Sequence, residues 1–145
     1  MTMSSNVVKC PHCGQKNRVA SSAGGKPVCG KCAKPVPWIV DGGDADFFEV
    51  VESSATPVLV DVWAPWCGPC RMVSPVLETL ATEKAGELKL VKINADEAPD
   101  LSRRFDIRSI PTLMVFRSGR PVATYTGAAP ARVLRPWLEG ALGKS

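Results

Sequence analysis

The sequence has no long hydrophobic run. Its longest apolar stretches are about six residues, whereas a helix that crosses a membrane needs roughly 20. The expected protein is therefore soluble, without a membrane partner. Residues 1–8 lack the apolar stretch and small-residue cleavage site of a secretory leader, which predicts a cytoplasmic location. Residues 1–34 contain no acidic side chain, yet they carry Lys9, Lys16, Arg18, Lys26, Lys31 and Lys34. The remainder holds 12 basic and 14 acidic residues, so the formal charge of +4 arises entirely in the N-terminal segment. No aromatic residue interleaves with these lysines, which weighs against a nucleic-acid surface.

What the chain does have is cysteine in pairs. Its 6 cysteines form three Cys-X-X-Cys motifs: Cys10/Cys13, Cys29/Cys32 and Cys67/Cys70. In a reducing compartment stable structural disulfides are disfavoured, and metal binding or catalysis becomes the expected role. Spacing alone does not distinguish the three pairs; their surroundings do.

The chain divides near residues 33–37. Before that point lie polar stretches, four cysteines and Ser21-Ser22-Ala23-Gly24-Gly25. Lys34-Pro35-Val36-Pro37 reads as a linker, because each proline biases its predecessor toward extended backbone. The expected organisation is a small module over residues 1–34 and a larger α/β domain over residues 35–145. In the larger part, residues 37–40, 58–63, 88–94, 112–116 and 122–126 read as strands. Helices are expected over residues 47–52, 67–84 and 98–105, and from Pro130 onward. Asp44 or Asp46 is the expected cap of the first. Pro75 should kink the second, and Pro136 argues against an unbroken last helix. The segment Arg117-Ser118-Gly119-Arg120-Pro121 reads as a hairpin turn. This order implies a mixed central sheet with helices on both faces.

Cys67 follows the apolar strand at residues 58–63 and opens the next helix. Unpaired N–H groups and the positive end of the helix dipole gather there and favour a thiolate. Cys67 is thus the expected attacking sulfur, and Cys70, one turn later, the sulfur that resolves a mixed disulfide. Gly68 and Pro69 suit a first helical turn, where the missing proline N–H costs nothing.

The run from Val60 through Asp61, Trp63, Pro65, Trp66, Cys67, Gly68 and Pro69 to Cys70 closely resembles the active-site block of the thioredoxin family. So do Ile110-Pro111-Thr112, Lys92-Ile93-Asn94-Ala95-Asp96, Ser118-Gly119 and Gly127, in order and at matching separations, over about residues 36–143. The resemblance implies a thioredoxin fold and a protein-disulfide reductase. It implies that Asp61 is the buried carboxylate beneath Cys70, raised in pKa by desolvation and able to accept the Cys70 proton. It implies that Lys92 neighbours that carboxylate and that Pro111 takes a cis peptide bond beside the pair. Trp66, Gly68, Pro69, Ile110, Gly127 and Ala128 would form an apolar rim for disulfide-containing protein substrates. The chain carries no flavin or nicotinamide motif, so the resemblance implies recharging by an NADPH-dependent thioredoxin reductase.

The two N-terminal pairs are 15 residues apart, a C-x2-C-x15-C-x2-C spacing that suits one tetrahedral four-thiolate zinc ion held by Cys10, Cys13, Cys29 and Cys32. Gly14 and Gly30 are expected to supply the permissive backbone of two tight turns. Zinc would explain how so short a segment with little apolar content folds. Its role would be structural or redox-responsive, since thiolate oxidation ejects the metal. Cys10-Pro11-His12-Cys13 is also an active sequence of oxidising disulfide oxidoreductases, but it has no buried strand before it here. A zinc-ribbon-like module ahead of the main domain resembles thioredoxin-2-type bacterial members. Two rival readings are a redox-inactive scaffold carrying an interaction module, and a disulfide-forming oxidase. Intact Cys67, Cys70, Asp61 and Pro111 oppose the first, and Gly-Pro between the thiols opposes the second.

Overall fold

The computed structural model describes residues 5–21 and 26–143. Residues 22–25, within the polar N-terminal stretch, and residues 1–4 and 144–145 lie outside the described residues. Strands β1 (Ser5–Lys9) and β2 (Lys16–Ala20) form an antiparallel hairpin. The main sheet contains β3 (Trp38–Gly42), β4 (Val58–Trp63), β5 (Lys89–Asn94), β6 (Thr112–Arg117) and β7 (Arg120–Thr126). Its order is β3-β5-β4-β6-β7, with β3, β5 and β4 parallel and β6 and β7 antiparallel. Helices α1 (Gly68–Glu83), α2 (Pro99–Arg104) and α3 (Ala131–Ala141) complete it, with a short π-helical turn at Phe48–Glu52.

Strand β4 is the centre of the sheet, and residues 58–62 are all buried, as expected of a strand covered on both faces. Leu59 joins Val73, Leu77 and Leu80 of α1 and Leu134 and Leu138 of α3 in one core. Val58, Val60 and Val62 face the other core, with Phe47, Val50, Leu101 and Phe116. The period-2 alternation of the strand thus places Asp61 on the α1 side with Leu59.

Two local expectations change, the break at Pro136 and the cap by Asp44 or Asp46, while the turn at Ser118-Gly119 forms where it is expected. Both prolines lie inside continuous helices, Pro75 in α1 and Pro136 in α3. Each removes one N–H, but the fully buried Leu77, Leu80, Leu134 and Leu138 hold these helices to the sheet. Neither Asp44 nor Asp46 caps the Phe48–Glu52 turn, which has no side-chain cap. Asp44 instead accepts hydrogen bonds from the Asp100 and Leu101 N–H groups at 3.0 and 2.9 Å, so it caps α2 across the fold. Ser118 and Gly119 form a two-residue hairpin turn with φ of 53° and 78°. A Cβ at position 119 would also lie 2.8 Å from the Glu52 carbonyl oxygen, so the turn requires glycine twice over.

The stretch Lys34-Pro35-Val36-Pro37 does not hang free between two bodies. Val36 is fully buried, its N–H donates to the Pro27 carbonyl, and Pro35 bridges Val28. The hairpin packs beside β3, and Val8, Val19, Cys10 and Cys29 share a core with Trp38 and Val40. Asn6 accepts the Asp41 N–H at 3.3 Å, and the Trp38 indole N–H donates to the Ala20 carbonyl at 2.9 Å. An otherwise open sheet edge is covered in this way. Among the described residues no helix is long and apolar enough to cross a membrane.

Candidate active site and metal centre

Cys67 is the N-cap of α1, in extended backbone, and Pro69 occupies the first turn after Gly68. The Cys70 N–H points at Cys67 Sγ at 3.2 Å, in the place where a capping oxygen usually sits. An N–H so placed, together with the helix dipole, stabilises a thiolate on Cys67. The two cysteines are joined as a disulfide with Cα atoms 5.4 Å apart. Both are buried in this state, in a small cluster with Ala64, Trp63 and Ile110.

The Ile110–Pro111 peptide is cis. It brings the Ile110 carbonyl oxygen to 3.7 Å from Cys67 Sγ. The Pro111 carbonyl accepts the Gly127 N–H at 2.8 Å, and Gly127 has a φ of 97°. This pins the end of β7 beside the disulfide. Trp66 stands 69% exposed next to it, and its indole N–H donates to Asp96 at 3.2 Å. The predicted rim residues Trp66, Gly68, Pro69, Ile110 and Gly127 therefore come from three separate stretches of chain that the fold places around Cys67. Trp63 is half buried, with its indole nitrogen buried.

Behind Cys70 lies a crevice of about 290 Å³ lined by Asp61, Trp63, Ser74, Lys92, Asp41 and Arg71, among others. Asp61 is 1% exposed. Its Oδ1 and the Trp63 Nε1 are buried without a hydrogen-bond partner among the described residues. Desolvation raises the Asp61 pKa to about 6, opposed by the Lys92 ammonium and reinforced by the Glu78 carboxylate. Lys92 sits beside Asp61 in the β4–β5 register. Its ammonium, however, donates to Ser74 Oγ at 2.9 Å and pairs with Glu78 at 3.4 Å. Ser74, Glu78 and Asp41 carry no motif of their own. A Ser at one position of α1 and a Glu one turn later was the only available signal.

The Sγ atoms of Cys10, Cys13, Cys29 and Cys32 lie within 4.8 Å of one another. Cys10–Cys32 and Cys13–Cys29 are each 3.6 Å apart. A tetrahedral zinc with bonds of about 2.3 Å sets its sulfurs about 3.8 Å apart, so the four donors fit this metal in number, chemistry and spacing. The two turns repeat one pattern. Cys10 N–H donates to Gln15 and Gly14 N–H to Cys10; Cys29 N–H donates to Lys34 and Ala33 N–H to Cys29. The left-handed positions are Gly14 at φ 80° and Ala33 at φ 64°, not Gly30 as expected. Gly30 serves otherwise: its N–H donates to the Asn17 side chain at 2.9 Å. The Cys32 N–H, and behind it that of Lys31, hold the Cys29 thiol down to about 6 against its desolvation.

The family model for thioredoxin matches residues 37–140. Thioredoxin 1 of Synechococcus elongatus is 50% identical over 96 residues, covering 66% of this chain and 90% of that protein. The thioredoxins of Porphyra purpurea and Haemophilus influenzae are each 53% identical over 95 residues, covering 66% of this chain and 89% of each relative. Residues 1–36, with all four clustered cysteines, fall outside the matched family model.

Proposed function

This chain belongs to the thioredoxin family and is a thiol–disulfide oxidoreductase of the protein-disulfide reductase kind, and we propose that Cys67 and Cys70 carry that reaction with Asp61 as proton acceptor. In the reduced protein the Cys67 thiolate attacks one sulfur of a substrate disulfide. A mixed disulfide forms and the first substrate thiolate leaves. Asp61 takes the Cys70 proton, and the Cys70 sulfur attacks Cys67 Sγ. The mixed disulfide breaks, the second substrate thiolate leaves, and two electrons have passed to the substrate. The Cys67–Cys70 disulfide is the product state of that sequence. The observation that carries the reading is Cys67 as the N-cap of α1 with, behind its partner thiol, a buried Asp61 carboxyl whose Oδ1 has no hydrogen-bond partner among the described residues.

Lys92 and Pro111 complete the proposed catalytic set, and Trp66, Gly68, Pro69, Ile110 and Gly127 the proposed substrate rim. The cis geometry at Pro111 and the exposure of Trp66 support these assignments. Family membership supports disulfide-containing protein substrates and an NADPH-dependent thioredoxin reductase as the electron donor. A cytoplasmic setting is in keeping with four further cysteines that are not joined as disulfides.

The proposed organisation is a metal-binding module over residues 1–34 and a thioredoxin domain over residues 35–145, with one zinc held by Cys10, Cys13, Cys29 and Cys32. Zinc, when bound, supplies a cross-link between two turns that have few apolar side chains of their own. The burial of Cys10 and Cys29 in the shared core supports a structural role. A redox-responsive role requires that oxidising these thiolates also changes reductase kinetics.

The test combines zinc content with insulin-disulfide reduction on wild type, Cys67→Ser and Cys10→Ser. Activity lost with zinc retained in Cys67→Ser, and zinc lost in Cys10→Ser, is the expected result. Reduction that survives Cys67→Ser overturns the reading. Peroxide-driven zinc release with unchanged kinetics removes the redox-responsive role.

A further inference from the structure

Lys92 lies directly beside Asp61 in the sheet, yet its ammonium is engaged elsewhere. The β3-β5-β4 order sets Asp41, Lys92 and Asp61 side by side on three parallel strands. A lysine between two carboxylates is expected to pair with one of them. Instead the Lys92 Nζ donates to Ser74 Oγ at 2.9 Å and pairs with Glu78 Oε2 at 3.4 Å, both on α1. Ser74 Oγ in turn donates to Glu78 Oε2 at 3.2 Å, so the three groups close on one another. Across the same crevice the Asp61 Oδ1 has no hydrogen-bond partner among the described residues.

The geometry points to Ser74 and Glu78 as positioning residues that hold the Lys92 ammonium on α1 and so withhold it from Asp61, leaving that carboxyl free to take up the Cys70 proton. This rests on the reading of Asp61 as proton acceptor. An ammonium in direct contact with a buried carboxylate favours the charged form and lowers its pKa by about 1–3 units. A carboxyl so stabilised is a poorer base near neutral pH. Lys92 held one side chain away still tempers the cost of charging Asp61 without neutralising it. The raised pKa of Asp61, near 6, agrees with that arrangement. Other charged groups on the crevice are Asp41 from β3 and Arg71 from α1. Asp41 is engaged by Asn6 of the hairpin, and Arg71 by the Pro65 carbonyl. From the β6 side Asp61 pairs with Leu113, which brings no charge. Ser74 and Glu78 are thus the groups that determine where the Lys92 charge sits.

The decisive variant is Ser74→Ala, which removes the hydroxyl without changing any charge and favours the helix. The readout is the Asp61 carboxyl carbon shift against pH in the oxidised protein, where neither active-site thiol titrates. The expected result is a midpoint lower by about 1 pH unit or more in Ser74→Ala, restored by Ser74→Thr. A midpoint that stays or rises in Ser74→Ala overturns the positioning role, as does a Ser74→Thr variant that behaves like Ser74→Ala. The pH profile of insulin reduction by Asp61→Asn separates this from the underlying reading. If that profile matches wild type, Asp61 is not the acceptor, whatever Ser74→Ala does. If it changes while Ser74→Ala leaves the midpoint in place, the acceptor stands and only the clamp fails.

Discussion

The Lys89 ammonium lies 4.5 Å from the centroid of the Trp38 ring, and together the two side chains fasten the N-terminal hairpin to the main sheet. Lys89 is 1% exposed and donates to the carbonyls of Ser21 and Val50, while the Trp38 indole donates to Ala20. A cation over an aromatic face with two carbonyl acceptors is well satisfied locally. Desolvation nevertheless pushes its pKa down to about 8, with Asp46 opposing. A buried lysine thus ties the N-terminal segment to the main sheet at the start of β5.

The Lys89 shift has a definite sign in stability. Between about 8 and its ordinary 10.5, the unfolded chain holds a proton on Lys89 that the folded chain has released. Stability therefore rises with pH across that window, by about 3 kcal/mol for this group. Urea denaturation of wild type and Lys89→Met from pH 7 to 11 checks it. The wild-type stability, less that of Lys89→Met, should climb between pH 8 and 10.5; a falling difference contradicts the assignment.

Asp61 behaves in the opposite sense. Its folded pKa of about 6 exceeds the ordinary 3.8, so the folded protein binds the extra proton between those values. Stability is full below about pH 4 and is lost as pH rises through 6, by about 3 kcal/mol. Asp61→Asn should therefore be more stable than wild type at pH 7 by about that amount in the oxidised form. The gain should vanish near pH 3.5, and denaturation midpoints at the two pH values measure it.

The Asp44 cap on α2 is testable by itself. Asp44→Ala leaves the N–H groups of Asp100 and Leu101 without their side-chain acceptor. A loss of about 1 kcal/mol is expected for a cap of this kind. Faster amide exchange at Asp100 and Leu101, with β4 unaffected, would locate the effect.

Removing the proposed zinc with a chelator should loosen the two cysteine turns before the main sheet. The amides of Cys10, Gly14, Cys29 and Ala33 should lose exchange protection, because the bonds they make close those turns. Protection in β4, β5 and β6 should persist, since that sheet has a core on the α1 and α3 side that, among the described residues, includes none from the hairpin. Loss of protection across the whole sheet would show that the two parts fold as one unit.

Much of the site was legible because its signals are local. Cys67 and Cys70 are spaced by one helical turn, Pro69 marks that turn, and an apolar strand precedes it. Once its surroundings set Cys67/Cys70 apart, the C-x2-C-x15-C-x2-C spacing of the four remaining cysteines marks them as one cluster. The strands were legible from apolar runs, and the Ser118-Gly119 turn from its composition. Less legible was anything requiring one element to meet another. Asp44 looks like the cap of the segment that follows it, and it caps a helix more than fifty residues onward. Lys34 to Pro37 reads as a linker because of its prolines, and Val36 is buried between the two parts. Gly30 reads as the left-handed residue of its turn, and Ala33 takes that place because the second turn copies the hydrogen bonds of the first.

The sequence by itself determined the candidates for the chemistry: which sulfurs are placed to exchange, which can hold a metal, and which carboxylate lies in an apolar strand. These follow from spacing and periodicity, properties of neighbouring residues. Tertiary structure decided how charges are distributed around that chemistry. Lys92 and Asp61 meet because β5 pairs with β4, but Lys92 turns to Ser74 and Glu78 because α1 lays those side chains over the same crevice. Lys89 reaches Ser21 because the hairpin covers the β3 edge. Partners of this kind depend on packing between distant elements, and no pattern along the chain records them.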